Sequence, residues 1–161
     1  MASDIHLRIG DIKGESTDDK HKDEIDVESW SWGASNPTTT AAGGGAGAGK
    51  VTFNDLSFVH RFDKASPLLW RACATGEHIR DATLASAKQG KAAQDFLVIK
   101  MNDVLITSVN VAESGGAGIV PMEQVSMKFA KVEMEYRPQK PDGSLDAPIR
   151  FKYDIKANKE F

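Results

Sequence analysis

The sequence is poor in the residues that build covalent or metal-stabilised scaffolds. Cys73 is the single cysteine among 161 residues, so no disulfide can form within the chain. The four histidines stand apart from one another and from Cys73, without the spacing of a zinc site: His6, His21, His60 and His78. A chain of this length buries roughly 70% of its unfolded surface on folding. We therefore expect one domain over residues 1–161, with an ordinary hydrophobic core and no metal or other cofactor.

The chain also lacks long runs of one charge or of apolar residues. Its 20 Lys and Arg stand against 23 Asp and Glu, a net charge of -3, and no basic run could track a phosphate backbone. Nothing approaches the roughly 18 consecutive apolar residues of a membrane span. Asp4, His6 and Arg8 interrupt the N-terminus, which therefore does not look like a signal peptide. We expect no nucleic-acid partner, no membrane insertion and a cytoplasmic start.

Catalytic motifs are missing or incomplete. Residues 44–50 match the G-x-x-x-x-G-K part of a phosphate-binding loop, but Val51 stands where a magnesium-binding hydroxyl is needed. Glu24, Asp26 and Glu28 alternate along one face and fit a solvated edge better than an acid and base pair. No G-x-S-x-G elbow singles out a nucleophile. We expect no enzymatic activity.

What is present is a repeated strand pattern that changes phase. Ile5, Leu7 and Ile9 alternate with polar residues, as in a half-buried strand. From Ile25 to Gly33 the apolar residues change face, which indicates a bulge near Glu28 or burial on both faces. Similar changes occur at residues 51–58 and 125–136. Such strands either bend around a barrel or sandwich corner, or meet another subunit with their second face.

Further strands and one helix complete the prediction of a mainly β fold. The helix begins with Ser66 as a cap and Pro67 as its first residue, and it ends at Gly76. The remaining strands are expected at these positions: Ala82–Ala87, Phe96–Met101, Val104–Val111, Val125–Tyr136 and Ile149–Ile155. Eight or nine strands with one helix indicate a closed or nearly closed β architecture.

Two surface features leave alternatives open. The segment Asn36–Lys50 is long for a loop in a compact domain, so it is either disordered or a contact element. Trp30, Trp32 and Trp70 are either buried anchors or sugar-stacking platforms of a monomeric β-sandwich glycan-binding module. Two indoles exposed on the surface would favour the glycan-binding alternative.

Several separate motifs, in order along the chain, resemble one known family. They are Ile9-Gly10-Asp11-Ile12-Lys13-Gly14-Glu15-Ser16, His21 with Glu24-Ile25-Asp26-Val27, Trp30-Ser31-Trp32-Gly33, the glycine tract into Gly49-Lys50-Val51, Asp55-Leu56-Ser57-Phe58, Asp63-Lys64-Ala65-Ser66-Pro67-Leu68, Phe129-Ala130-Lys131-Val132 and Tyr136-Arg137-Pro138-Gln139-Lys140. From about Asp4 to Ile155 the chain is similar to the haemolysin-coregulated protein (Hcp) family, the tube subunit of bacterial type VI secretion.

This resemblance implies a compact β-barrel of two sheets with one flanking helix, assembled into a hexameric ring. Stacked rings would form an inner tube inside a contractile sheath, with a spike protein at the tip and small effector proteins carried in the lumen. The protein would leave the cell through the type VI system without a cleaved signal peptide. Whether the chain is the tube subunit or a relative specialised for cargo stays open.

The resemblance also implies roles for two groups of residues. In the family, the strand that carries Ser31 contributes to the lumen wall, so Ser31 is expected to contact effectors, the alternative being an ordinary exposed serine. The tract that matches the family's extended loop is expected to serve ring assembly or stacking: Gly43, Gly44, Gly45, Ala46, Gly47, Ala48, Gly49 and Lys50.

Overall fold

The computed structural model describes residues 4–37, 50–88 and 94–161. Within these ranges the chain forms eleven β-strands and one α-helix. The strands are β1 (Ile5–Ile9), β2 (Ile25–Asp26), β3 (Ser29–Ser31), β4 (Ala34–Ser35), β5 (Thr52–Phe53), β6 (Leu56–Arg61), β7 (Ile79–Lys88), β8 (Gln94–Ala112), β9 (Met122–Tyr136), β10 (Ile149–Asp154) and β11 (Lys159–Glu160), and the helix α1 is Ser66–Thr75. The expected mainly β architecture of two sheets and one flanking helix is confirmed.

The long strand β9 organises the larger sheet, in which nine of these strands pair. Strand β8 runs along one edge of β9, and the sheet continues from it through β7 and β1 to β2. Two strands share the other edge: β6 pairs with residues 122–127 of β9, and β10 pairs with residues 131–136. The sheet therefore divides at residues 128–130, between these two partners. Strands β4 and β5 form a separate hairpin.

The segment between β2 and β3 links two distant parts of this sheet. The backbone N–H of Val27 donates to the carbonyl of Ile5 in β1, over 2.9 Å, and that of Glu28 donates to Val59 in β6, over 2.8 Å. The chain thus changes its pairing partner at the position where the apolar pattern changes face. The sequence predicts a bulge near Glu28 or burial on both faces. The structure shows instead that the strand partner changes there, from β1 to β6.

The alternation of buried and exposed side chains changes face at the same point in β8 and in β9. Met101 pairs with Val132, and Val104 pairs with Phe129, and all four side chains are buried. The buried positions are three apart in sequence number on each strand, whereas strict alternation would place them two or four apart. Asp103, between Met101 and Val104, has a φ of 56°. The two strands predicted at Phe96–Met101 and Val104–Val111 are one strand, because pairing to β9 resumes in the same register beyond Asp103.

The helix begins at Ser66, one residue before the predicted start at Pro67. Ser66 is its first residue and not its cap, because its hydroxyl accepts a hydrogen bond from the Asp63 N–H, over 3.1 Å. The Asp63 carboxylate accepts from the Ala65 N–H, over 2.9 Å, and closes the turn. Gly76 ends the helix as predicted, with φ of 67° and its N–H bonded to the carbonyl of Ala72. Glycine adopts this left-handed conformation without steric strain.

The hydrophobic core is formed mainly by the strands of the larger sheet, with α1 packed on it. Buried apolar residues come from β1, β2, β6, β7, β8 and β9, and the helix adds Leu69 and Ala72. The largest of the completely buried side chains is that of Phe58, in β6. The half-buried Trp30 and Trp32 pack against this core from one side. Burial on this scale accounts for stability without a disulfide.

Candidate assembly surface

A row of four serines crosses strands β3, β6, β9 and β8. Ser31 pairs with Ser57, and Ser57 pairs with Ser126. Ser126 pairs in turn with Ser108. Paired residues of antiparallel strands project to the same face, so the four hydroxyls lie side by side. Ser57 and Ser126 share a hydrogen bond of 2.8 Å between their Oγ atoms. We call these four residues the serine row.

The next row on the same face is also uncharged. Ser29 pairs with Val59, Val59 with Gln124, and Gln124 with Asn110. Charge appears one row further along β6, where Arg61 Nε lies 3.5 Å from Glu28 Oε1. The centre of this face is therefore a strip of small, neutral, mostly polar side chains.

Ser31 lies on the face opposite its two neighbouring indoles. Trp30 pairs with the buried Phe58, and both Trp30 and Trp32 pack on the core, whereas Ser31 is exposed. The Trp32 Nε1–H donates to the carbonyl of Asn54, over 2.9 Å. Of the three indoles, that of Trp70 is the most exposed, at 41%, so the pair of exposed indoles expected for a glycan-binding module is not found. The contact between Ser31 and effectors stays a prediction.

The sequence did not point to the other three serines. Ser57 lies between the buried Leu56 and Phe58, so alternation alone places it on the outer face. Alternation cannot show which serine on another strand pairs with it. The register between β8 and β9 shifts between Ile106 and Ser108, and this irregularity brings Ser108 opposite Ser126. The row is a property of strand pairing.

The predicted stacking loop is described at one residue. Gly43 to Gly49 lie outside the described residues. Lys50 is exposed and stands at the edge of a groove of about 830 Å³. The groove is lined mainly by apolar and aromatic side chains: Trp32, Val51, Phe53, Met134, Phe151 and Tyr153, with Asn36, Lys50, Asn158 and Glu160 among the polar ones. We call it the aromatic groove.

The rings in the aromatic groove form a continuous series. The ring centroids of Trp32 and Phe53 are 5.6 Å apart, and those of Phe53 and Tyr153 are 5.4 Å apart. Phe151 follows, 6.0 Å from Tyr153, with its side chain 38% exposed. Contacts between aromatic rings at these distances are favourable, which gives the groove a defined shape.

A buried ionic network lies behind the polar face and joins the sheet to α1. His60 Nε2 lies 2.8 Å from Glu123 Oε1, and the Trp70 Nε1–H donates to Glu123 Oε2 over 2.7 Å. Asp63 Oδ2 lies 3.8 Å from His60 Nδ1. Burial by itself lowers the pKa of His60, but the carboxylates of Asp63 and Glu123 outweigh burial and raise that pKa to about 9. The imidazole is therefore charged at neutral pH.

A second histidine, His21, links the segment between β1 and β2 to the start of β8. His21 Nδ1 lies 2.8 Å from Glu24 Oε2, and its Nε2 lies 3.0 Å from Asp95 Oδ1 at the start of β8. Burial by itself lowers the pKa of His21, but the carboxylates of Asp95 and Glu24 outweigh burial, so the pKa is raised above its ordinary value. The buried His6 stacks on this ring at 4.7 Å.

These histidine clusters do not form a metal centre. Among residues 4–37, 50–88 and 94–161, no group of three or more His, Cys, Asp or Glu side chains is arranged to hold a metal ion. In the same ranges, no helix is long and apolar enough to span a bilayer.

Known proteins with the same fold define the class of this chain. A solved structure described as a type six secretion system protein superposes with a TM-score of 0.93 at 29% identity, covering 99% of this chain and all of the other. The crystal structure of Hcp1 from Salmonella typhimurium superposes with a TM-score of 0.81 at 39% identity, covering both chains completely. The mainly β fold with its flanking helix is thus that of a type VI secretion protein.

Sequence similarity places the chain within that class. The family model for the type VI secretion system effector Hcp matches residues 6–136. The chain is 46% identical over 160 residues to protein hcp1 of Pseudomonas aeruginosa, covering 98% of each. The chain belongs to the Hcp family, and the resemblance read from its motifs is confirmed.

Proposed function

We propose that this chain is a structural subunit of the type VI secretion inner tube. Six copies form a ring, the rings stack, and the serine row of each copy lines the lumen, where small effector proteins travel. The spike protein at the tip and the contractile sheath around the tube are its other partners. The observation that carries the proposal is a neutral polar face on one part of the larger sheet, formed by β3, β6, β9 and β8. Among the described residues, the outer edges of β3 and of the second half of β8 are unpaired.

The edges of that sheet suit a head-to-tail ring. In the described parts of the chain, β3 pairs with β6 alone, and β8 beyond Val104 pairs with β9 alone. The unpaired edge of a strand is a template for another chain. Because the two edges differ, pairing between them is heterologous, and such a contact closes into a ring when its rotation allows.

The chemistry of the polar face suits a passage for folded proteins. Small hydroxyl and amide groups hold water and form hydrogen bonds without a strong electric field. A wall of this kind binds cargo weakly and releases it, since long-range charge attraction is missing at its centre. Ser31 is the exposed member of the row on β3 and is proposed as an effector contact.

The first test is the assembly state of the purified protein. Size-exclusion chromatography with light scattering should give the mass of a hexamer, and electron microscopy should show rings with a central opening. A monomer that persists at high concentration would contradict the proposal.

The second test addresses the lumen. Ser31→Tyr places a large side chain on the polar face, and effector co-purification and secretion should fall while hexamers persist. Ala74→Tyr, at an exposed position of α1, adds the same side chain on another face and should leave both unchanged. Equal effects of the two variants would show that the polar face is not the lumen wall.

A further inference from the structure

The loop between β8 and β9, residues 113–121, exposes apolar side chains together with a single charge. Ile119 is 46% exposed and Val120 is 42% exposed. Glu113 is the one charged residue of the loop, and it forms no ion pair with another residue that the structure describes. The loop is therefore an apolar surface with one negative charge. We call it the β8–β9 loop.

A pocket of about 370 Å³ lies where β9 changes its partner from β6 to β10. Its apolar lining is Leu105, Phe129, Ala130 and Ile155, and its charged and polar lining is His78, Asp103, Lys128 and Lys156. All eight residues belong to the described part of the chain, and none of them is next in sequence to the segments 38–49 and 89–93. We call this site the β9 pocket.

The charges around the β9 pocket are not balanced. Lys128 and Lys156 are exposed, and neither forms an ion pair with another described residue. Asp103 is the one carboxylate among the lining residues, and its Oδ1 lies 3.7 Å from Nε2 of His78. Two ammonium groups thus stand against one carboxylate, which leaves a net positive charge beside an apolar floor. The pocket matches the β8–β9 loop in apolar character and is opposite to it in charge.

The β8–β9 loop and the β9 pocket lie at opposite ends of one part of β9. The loop precedes Met122, the first residue of the strand, and Lys128 follows residues 122–127, which pair with β6. At about 3.3 Å per residue, Met122 and Lys128 are roughly 20 Å apart along the strand. A chain therefore does not fill its own pocket with its own loop.

We propose that the β8–β9 loop of one copy occupies the β9 pocket of a second copy in the adjoining ring. This inference rests on the proposed function, and it assigns residues to the contact between stacked rings. Ile119 and Val120 pack on the apolar floor, and Glu113 lies beside Lys128 and Lys156. Two different surfaces of one molecule make a heterologous contact, which extends from copy to copy when it does not close.

The composition of the loop favours a second copy as the occupant. Every copy of the chain brings one acidic apolar loop and one basic apolar pocket, so the two surfaces are present in equal number in any stack. Packing the exposed isoleucine and valine against the pocket floor removes apolar surface from water. Each contact is small, but six of them act together between two rings, which multiplies their effect.

A charge exchange tests the pairing of loop and pocket. Glu113→Lys and Lys128→Glu each place like charges together, so each should shorten the tubes seen by electron microscopy at least tenfold. Both residues are exposed, so the hexamer mass in light scattering should not change. The double variant restores an opposite pair and should recover most of the normal tube length. The control Lys140→Glu reverses an exposed charge elsewhere and should leave the tubes unchanged.

Three results would overturn the inference. They are tubes of normal length in both single variants, a double variant no better than either of them, and wild-type rings that never stack at high protein concentration. Normal hexamers whose stacking ignores these charges would overturn this inference alone and leave the pocket to an acidic segment of another protein. A wild-type protein that forms no rings would overturn the proposed function with it.

A cross-link tests the same contact without reversing a charge. In a Cys73→Ser background, the pair Val120→Cys and Leu105→Cys is treated with a short bis-maleimide linker after tube formation. We expect covalent species of more than six chains, which cross-links within one ring cannot produce. The pair Val120→Cys and Thr75→Cys, with its second cysteine on α1, should give none. Tubes that stack normally but give no such species with the first pair would contradict the proposed contact.

Discussion

His60 Nε2 and Glu123 Oε1 are 2.8 Å apart, directly across from one another on β6 and β9, and neither side chain is exposed. Trp70 of α1 donates to the second oxygen of the same carboxylate. The helix is therefore attached to the sheet through a buried ion pair. A buried pair is costly to break, because removing one partner leaves a charge without compensation.

The first prediction is a loss of stability at alkaline pH. Folding raises the pKa of His60 from 6.5 to about 9, so the native protein keeps a proton that the unfolded chain releases. The resulting stabilisation is complete below pH 6.5 and is lost as pH rises from 6.5 through about 9, by roughly 3 kcal/mol. Urea unfolding at a series of pH values measures it.

The variant His60→Gln is the control for that titration. Its unfolding free energy should be roughly 3–5 kcal/mol lower at neutral pH, because Glu123 loses its charged partner. Its unfolding free energy should also vary less with pH between pH 6.5 and about 9. The pH dependence that remains there is the part contributed by His21. A wild-type curve that stays flat up to pH 10 would show that the pair is not ionic.

The second prediction concerns the link from helix to sheet. Trp70→Phe keeps an aromatic ring but removes the Nε1–H that donates to the buried carboxylate of Glu123. Hydrogen bonds to charged groups contribute about 1.5–3 kcal/mol, so unfolding free energy should fall by that amount. Leu68→Ala, at an exposed site on the same helix, should cost less than about 1 kcal/mol. Similar losses in the two variants would rule out a special role for the indole.

The third prediction concerns coupling within the serine row. Ser57 and Ser126 share a hydrogen bond of 2.8 Å, so the losses in Ser57→Ala and Ser126→Ala should not add. A double-mutant cycle should give a coupling free energy of about 1 kcal/mol. The cycle for Ser57→Ala with Ser108→Ala, which do not pair directly, should be additive. Coupling of the same size in both cycles would mean that the whole face rearranges.

The fourth prediction compares two glycines. A Cβ on Gly14 would lie 2.5 Å from the backbone oxygen of Glu24, which directly precedes β2 and accepts a hydrogen bond from the Ser16 N–H. Gly14→Ala should therefore lower the unfolding free energy by about 1–3 kcal/mol, near the upper end of that range. Gly115→Ala meets no atom within 4 Å and should change it by less than about 0.5 kcal/mol. Thermal or urea unfolding separates the two.

Much of the secondary structure was predictable because alternation is a local signal. The paired strands with one buried face, such as β1 and most of β9, follow directly from period-two patterns. The change of phase near Glu28 was also visible, since an apolar residue that switches face must coincide with a bulge or a new partner. The break predicted between Met101 and Val104 was wrong, because phase changes that occur together on two paired strands preserve their register.

The helix start and the serine row show where local signals fail. Ser66 has the chemistry of a cap, but its hydroxyl is used by the turn that begins at Asp63. Ser57, Ser108 and Ser126 each look like an ordinary outer-face residue in a strand. Their alignment depends on register, and the apposition of His60 with Glu123 depends on residues 63 positions apart.

The sequence by itself determined the class of fold and the family, because periodicity, end signals and motif order are written in neighbouring residues. It fixed only that Ser31 points away from Trp30 and Trp32, and the structure showed that the two indoles pack on the core. Tertiary structure decided which side chains form the serine row, which groups raise the pKa of His60, and where the aromatic groove lies. These depend on long-range strand pairing, which brings together residues from distant parts of the chain and removes them from water.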